Sequence, residues 1–467
     1  MKNSCFLSLR AVSAVVALAA FSAACSEGSG HADYPPVAKQ WLERGTKSYE
    51  AGDFEDAELA VENALRAAPG RPEAMLLAGR VSLARLDYDR AVQVLNGLTS
   101  GEARGVRGRA LWYRGDVQKA ADELDLLLRD PDVRDGWAVE IVKLARRGVG
   151  RKPFEMSGGL LAVTEMPRTG SASMIVPLEI DGSPALGMIA TGTAEAVMDA
   201  GAGAEPSWVS LRFGERIEVH DVPVLAKDLS GLSKQVNAPI KILLGVNLLR
   251  HLHPTIDFSG GQFVVRTFEP PPPPAATTVR LSYARGGGMM VRGALGSGEA
   301  APACSFLIDT SLAYPLALAG SGWTKAGVPL SSLKEVPNSG SLKAGVVPSL
   351  RLGAFDVPHV PGLQGDGVLK ERGEGLGVNI DGLLGSGLLA TFRMTLIDGG
   401  RSMWLEDLPA EALEPPPPIV LPAESEVITD DDSVPADADA VEEDDAPPAK
   451  GKAKSPAKKP AGAAKKP

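Results

Sequence analysis

From Val37 to about residue 148 the apolar positions recur at the three- and four-residue spacing of amphipathic helices. The residues themselves also recur. Gly45 and Gly79 are 34 positions apart, as are Asp53 and Asp87, Phe54 and Tyr88, and Ala57 and Ala91. A third copy, "YRGDVQKAADELDLLLRDP", is preceded by Gly108 and carries Gly115, Asp116 and Ala120, after a shorter interval of 29 residues from Ala91 to Ala120. The small residues fall where paired helices cross closely. Gly52-Asp53 and Gly115-Asp116 supply turns, with the aspartate placed to cap the next helix. The segment "VRDGWAVEIVKLARRG" that follows reads as a capping helix. Beyond Lys152 the helical period fades. Short apolar runs alternate with turns such as Asp181-Gly182 and Ser259-Gly260-Gly261, which predicts an all-β region.

That β region divides at the five prolines Pro270 to Pro274. Its halves carry matching elements. "LGMIATGTAEAVMDA" (186–200) is echoed by "SFLIDTSLAYPLALA" (305–319), and Leu243-Leu244-Gly245 by Leu383-Leu384-Gly385 at an offset of 140. In each half two apolar residues and a glycine precede a short helix, and then a strand ending in Ile256-Asp257 or Ile397-Asp398. The second turn carries Asp309; the first has Ala190 at the matching place.

Two resemblances follow from these residues. Residues 37–148 resemble tetratricopeptide repeats, with Ala57, Ala64 and Pro69 at that family's positions. The resemblance implies a surface for peptides or proteins. The alternative reading is a helical spacer that holds the next domain off a membrane. Residues 158–408 resemble the pepsin and retropepsin family of aspartic peptidases, in which each lobe offers an apolar-apolar-Asp-Thr-Gly/Ser turn with an apolar-apolar-Gly element packed beneath it. Ile308-Asp309-Thr310-Ser311 fits that pattern, and Ile189-Ala190-Thr191-Gly192 fits it except at the acid. The resemblance implies that Thr191 and Thr310 bond across the lobe interface, and that Gly245 and Gly385 allow close packing under the turns.

The departure at Ala190 bears on chemistry. Two aspartates about 3 Å apart share one proton, so one activates water while the other hydrogen-bonds the peptide carbonyl. A methyl group does neither. Glu195 and Asp199 follow the turn and are expected to point away from it. The expectation is therefore a cleft without catalysis. Asp309 serves as a catalytic residue only under the alternative of an active peptidase in which two chains bring their Asp309 side chains together. An Asp-Thr-Ser turn also has a purely local use, satisfying its own backbone donors.

Other chemistries find little support. His251 and His253, two apart on an expected strand, lack further ligands for zinc, and Gly385-Ser386-Gly387 lacks the frame of a nucleophile elbow. "RGGGMM" at 285–290 reads as a hairpin start and lacks the Lys-Ser/Thr of a phosphate loop. No cofactor and no metal is expected.

The termini concern location. Lys2 and Arg10, then the apolar run "AVSAVVALAAFSAAC", have the order of a secretory signal. Ser22-Ala23-Ala24-Cys25 resembles a bacterial lipobox, which implies cleavage before Cys25 and lipid on its thiol; a plain signal cut near Ala24 is the alternative. Ser26 is not the aspartate linked with inner-membrane retention, so the outer membrane is favoured. Loss of Lys2 and Arg10 takes the net charge from −10 to −12, which argues against nucleic acid as a partner. With Cys5 removed and Cys25 lipidated, Cys304 is left without a disulfide partner. Residues 424–445 hold eleven acids and no base, and residues 450–466 seven lysines, a composition that predicts a disordered tail.

The organisation expected is thus a signal peptide at 1–24, a tether at 25–36, helical repeats at 37–150, β lobes at 158–268 and 278–408 joined by a proline-rich linker at 269–277, and a tail at 409–467. The functional expectation is a lipid-anchored cell-envelope protein that binds peptide or protein partners.

Overall fold

A computed structural model describes residues 34–407, except 168–171, 202–203, 297, 299, 338 and 340–341. The signal peptide, Cys25 and the charged tail lie outside the described residues.

The repeats fold as helix pairs: α1 (Pro36–Glu50) with α2 (Phe54–Ala67), α3 (Pro72–Ala84) with α4 (Tyr88–Val94), and α5 (Gly101–Arg114) with α6 (Val117–Leu128), closed by α7 (Gly136–Arg147). Ala57, Ala91 and Ala120 are fully buried at the crossings. A Cβ on Gly79 would lie 2.6 Å from Leu95, so only glycine lets that helix approach its partner. The shorter third interval has a local cause. α4 has only 7 residues, about half of α2, and Ser100 already caps α5 through the Ala103 N–H. Asp53 and Asp87 accept from the N–H groups of Asp56 and Arg90 at 3.1 Å, as expected of caps. Asp116 departs from the pattern: it makes no cap bond, because Arg114 engages its carboxylate instead.

The β region is built twice from the same plan. In each half the strand leading into the turn (Ser183–Ile189, Ala303–Asp309) runs parallel to the Leu-Leu-Gly strand (Ile240–Leu244, Gly382–Gly385). The strand leaving the turn (Ala196–Asp199, Leu316–Leu318) runs antiparallel to that same strand and parallel to one arm of a hairpin. The halves are joined where Thr255–Asp257 pairs antiparallel with Phe392–Ile397. Across that seam the Thr255 and Thr395 hydroxyls bond at 2.8 Å, and Arg393 grips the buried Asp257 carboxylate at 2.7 and 2.9 Å. Interior positions alternate as the sheets require, with Phe213, Phe263 and Phe306 fully buried.

The helices do not extend away from the lobes as a spacer would. At the end of α1 the carbonyls of Glu50 and Ala51 accept from Asn379 N–H and Ser305 Oγ, both at 2.6 Å. At the other end of the stack Trp208 Nε1 donates to the Leu144 carbonyl at 2.9 Å, and Arg147 to that of Pro206 at 2.9 Å. One layer of helices is therefore bonded to both lobes.

Candidate functional site

The turns sit where each half's entering strand ends, and their geometry begins with Gly245 and Gly385. A Cβ on Gly245 would fall well inside van der Waals contact with the Glu195 carbonyl oxygen, and one on Gly385 with the Tyr314 oxygen. With no side chain there, each element slides beneath the backbone leaving its turn. Val246 and Asn247 then donate to the carbonyls of Thr193 and Ala194 at 3.0 Å, and Ser386 N–H to that of Leu312 at 2.8 Å.

Held this way, the turns meet. Thr310 N–H donates to Thr191 Oγ1 at 3.0 Å, and that hydroxyl donates to the Ile308 carbonyl at 2.9 Å. Reciprocally, Thr191 N–H donates to Thr310 Oγ1 at 3.1 Å, and the Thr310 hydroxyl donates to the Ile189 carbonyl at 2.7 Å. Both threonines are buried, and each hydroxyl satisfies one N–H and one C=O that water does not reach.

Asp309 is 3% exposed. Its Oδ1 accepts from Ser311 N–H at 3.1 Å and Ser311 Oγ at 2.5 Å. Arg372, on the Asp366–Leu376 helix, donates to Oδ2 at 3.3 Å. The opposite turn presses Gly192 against this carboxylate: a Cβ there would lie 2.5 Å from Oδ1. That turn's remaining member, Ala190, is buried.

The nearby acids point elsewhere. Glu195 is buried against the helices, where Trp137 Nε1 donates to it at 3.1 Å. Burial raises its pKa, against the pull of Trp137, Tyr113, Trp112 and Arg250. Asp199 faces outward, bonded to Lys241 at 2.9 Å and to Leu229 N–H at 3.1 Å.

The histidines correct one expectation. They do not share a strand face, because they follow the short Val246–Leu249 helix in a turn; His253 has a φ of +41°. His251 stacks on Phe154, with ring centroids 4.4 Å apart, and burial helped by Arg250 lowers its pKa to about 3. Among the described residues no group of three His, Cys, Asp or Glu is arranged to hold a metal ion. Burial likewise pushes the Cys304 thiol up to about 11, so it is a poor nucleophile at neutral pH.

Two features escape sequence reasoning. Arg372 lies 63 residues from Asp309 on an exposed helix with no local signature. Arg250 is buried among the rings of Tyr88, Tyr113 and Tyr283, which come from both halves of the chain.

The described residues form a stack of helix pairs bonded to a β domain of two lobes, each with its turn and Leu-Leu-Gly strand in the same arrangement. A family model, Tetratricopeptide repeat, matches residues 48–104. No protein of curated function matches the sequence. Among solved structures, an aspartic proteinase from Irpex lacteus is 11% identical over 53% of this chain and 97% of its own, with a TM-score of 0.35. A retropepsin-like aspartic protease from Rickettsia conorii is 20% identical over 28% of this chain and 90% of its own (TM-score 0.21). The TPR domain of Arabidopsis OM64 is 16% identical over 24% and 95% (TM-score 0.22).

Proposed function

We propose that the chain is a cell-envelope lipoprotein whose repeats and peptidase-like lobes bind peptide or protein partners without cleaving them. The observation that carries this reading is the environment of Asp309. Its carboxylate is occupied by Ser311 and Arg372, and the turn against it offers Gly192 and Ala190 in place of a second carboxyl group. Acid-base hydrolysis of a peptide needs one group that takes a proton from water and another that hydrogen-bonds the carbonyl. The two turns meet through Thr191 and Thr310, while one of those two groups is missing.

The functional test is binding without turnover. An unfolded polypeptide titrated into the full chain by calorimetry is expected to give saturable heat and to be recovered intact by mass spectrometry. Saturable binding followed by fragments would overturn the reading.

The anchor is tested separately. Cys25→Ser is expected to abolish labelling by a radioactive fatty acid and to move the protein from the membrane fraction to the soluble periplasmic one. Unchanged partition would remove the lipoprotein from the proposal.

A further inference from the structure

We propose that Glu195 is a proton-operated latch between the helix layer and the first lobe: a protonated carboxyl group keeps α5 and α7 seated on the lobe, and an ionised one loosens them from it. The inference concerns this interface and does not depend on what the lobes bind.

The latch begins with where the chain puts the residue. Glu195 follows the first turn, and its backbone belongs to the lobe: its carbonyl packs over Gly245 and accepts from Thr193 Oγ1 at 3.3 Å. The next residues, Ala196 and Val197, are buried in the lobe. The Glu195 side chain instead crosses into the helices, where it is 4% exposed. Trp137 Nε1, on α7, donates to Oε1 at 3.1 Å, and Trp112 and Tyr113 on α5 also favour its charge as hydrogen-bond partners.

These donors are neutral, and no cation meets the carboxylate directly. None of the described ion pairs includes Glu195, and Arg250 acts on it only through space. Arg250 is itself buried, with Tyr88 and Asn247 as its hydrogen-bond partners. A pocket of about 10 Å³ lined by Glu195, Asn247 and Arg250 has room for one water molecule at most. Asn247 Nδ2 and Arg250 Nε are buried without a partner among the described residues, so neither is turned to the carboxylate. Burial therefore outweighs the donors and raises the Glu195 pKa above its ordinary 4.5.

The groups around it keep their charge. Tyr88 and Tyr113 are pushed above their ordinary value by burial and stay neutral. Arg109 lies over the Trp137 ring at 4.2 Å and is paired with Asp135. His251, beside Arg250, is neutral in the fold, with a pKa of about 3. Once α5 and α7 leave the lobe, water surrounds Glu195 and its ordinary pKa returns. The seated form thus holds the proton more tightly. Its contribution to seating is whole below pH 4.5 and is lost as the pH rises through the raised value. The bonds from the helices to the second lobe, Ser305 Oγ to the Ala51 carbonyl and Asn379 N–H to that of Glu50, involve no titrating group. Rising pH therefore loosens the first-lobe side selectively. Ala194, next to Glu195, already lines the cleft between helices and lobes, so loosening widens the approach to the first turn.

The test is hydrogen exchange read by mass spectrometry on the full chain, unmodified and Glu195→Gln, at a series of pH values from about 5 to about 8. Glutamine is neutral throughout and keeps an oxygen for Trp137. At each pH the intrinsic exchange of α7 is the same in both proteins, and His251 is present in both, so the ratio of their α7 opening isolates Glu195. That ratio, unmodified over variant, is expected to rise with pH, by about tenfold for each unit that the seated acid stands above the released one. Opening of α1, on the second lobe, is expected to show no such rise. Glu155→Gln, exposed on the same lobe, should keep the profile of the unmodified chain. A ratio that stays flat or falls with pH would overturn the proposal, and so would a rise shared equally by α1, which would make Glu195 a residue of overall stability only. If circular dichroism shows Glu195→Gln misfolded, Trp137→Phe takes its place. Loss of that donor raises the pKa of the seated acid further, so α7 opening should grow more steeply with pH than in the unmodified chain; an unchanged profile would overturn the latch.

Discussion

Ala190→Asp combined with Arg372→Ala is expected to cut unfolded polypeptide slowly at mildly acid pH, where the unmodified chain is expected to leave it intact. The substitution sets a second carboxyl group on the turn that meets Asp309. Two such groups in close contact cannot both ionise, so one proton is shared between them and their titrations become properties of the pair. Each proton-transfer role is typically worth about 10²–10⁴ in rate, and that is the expected gain over the unmodified chain. Arg372 is removed because its guanidinium donates to Asp309 Oδ2 at 3.3 Å and favours the doubly ionised pair over the proton-sharing one. Ala190→Asp alone is therefore expected to fall short of the double variant. Adding Asp309→Asn to the double variant should abolish the activity. Mildly acid buffer is needed because His251, with a pKa of about 3 in the fold, favours the unfolded chain increasingly as pH drops below its ordinary value of 6.5. A fluorogenic polypeptide assay reads all of these variants. No cleavage by the double variant, with its fold intact by circular dichroism, would count against the geometry assigned to Ala190.

Thr310→Val is expected to have the largest effect on stability. Valine keeps the shape and removes only the hydroxyl. It leaves two buried groups without partners, the Thr191 N–H and the Ile189 carbonyl, which the hydroxyl now meets at 3.1 and 2.7 Å. An unsatisfied buried polar group costs roughly 1–3 kcal/mol, so the pair should cost about 3–5 kcal/mol in urea denaturation. Thr191→Val strands the Thr310 N–H and the Ile308 carbonyl in the same way. Because both hydroxyls hold one interface, the double variant should lose less than the sum of the singles. A loss below about 1 kcal/mol for Thr310→Val would mean that water or a shifted turn replaces the bonds.

What the sequence makes legible is what lies close together along it. The helical period, the 34-residue spacing and the small residues at the crossings are local, and the helix pairs follow them. The two turns and their Leu-Leu-Gly elements are also local patterns, and their repetition predicts two lobes of one plan. Contacts between distant elements leave no such trace. Arg372 is one charge among several on an exposed helix until the lobe folds and brings it to Asp309. Glu195 is expected only to point away from the cleft; that Trp137 receives it is fixed by the docking of helices on lobe, to which no period refers. Asp116 shows the limit even for a local rule. It stands where a cap is expected, yet Arg114, two residues away, engages it.

The central claim is that Asp309 stands without a second carboxyl group. The most direct measurement compares the unmodified chain with Asp309→Asn, each at high concentration with a fluorogenic unfolded polypeptide, across neutral to mildly acid pH. The account predicts the same background rate for both at every pH. A rate in the unmodified chain that rises as the pH falls and disappears in Asp309→Asn would contradict it. Should that rate also grow with the square of protein concentration, it would point to a peptidase assembled from two chains.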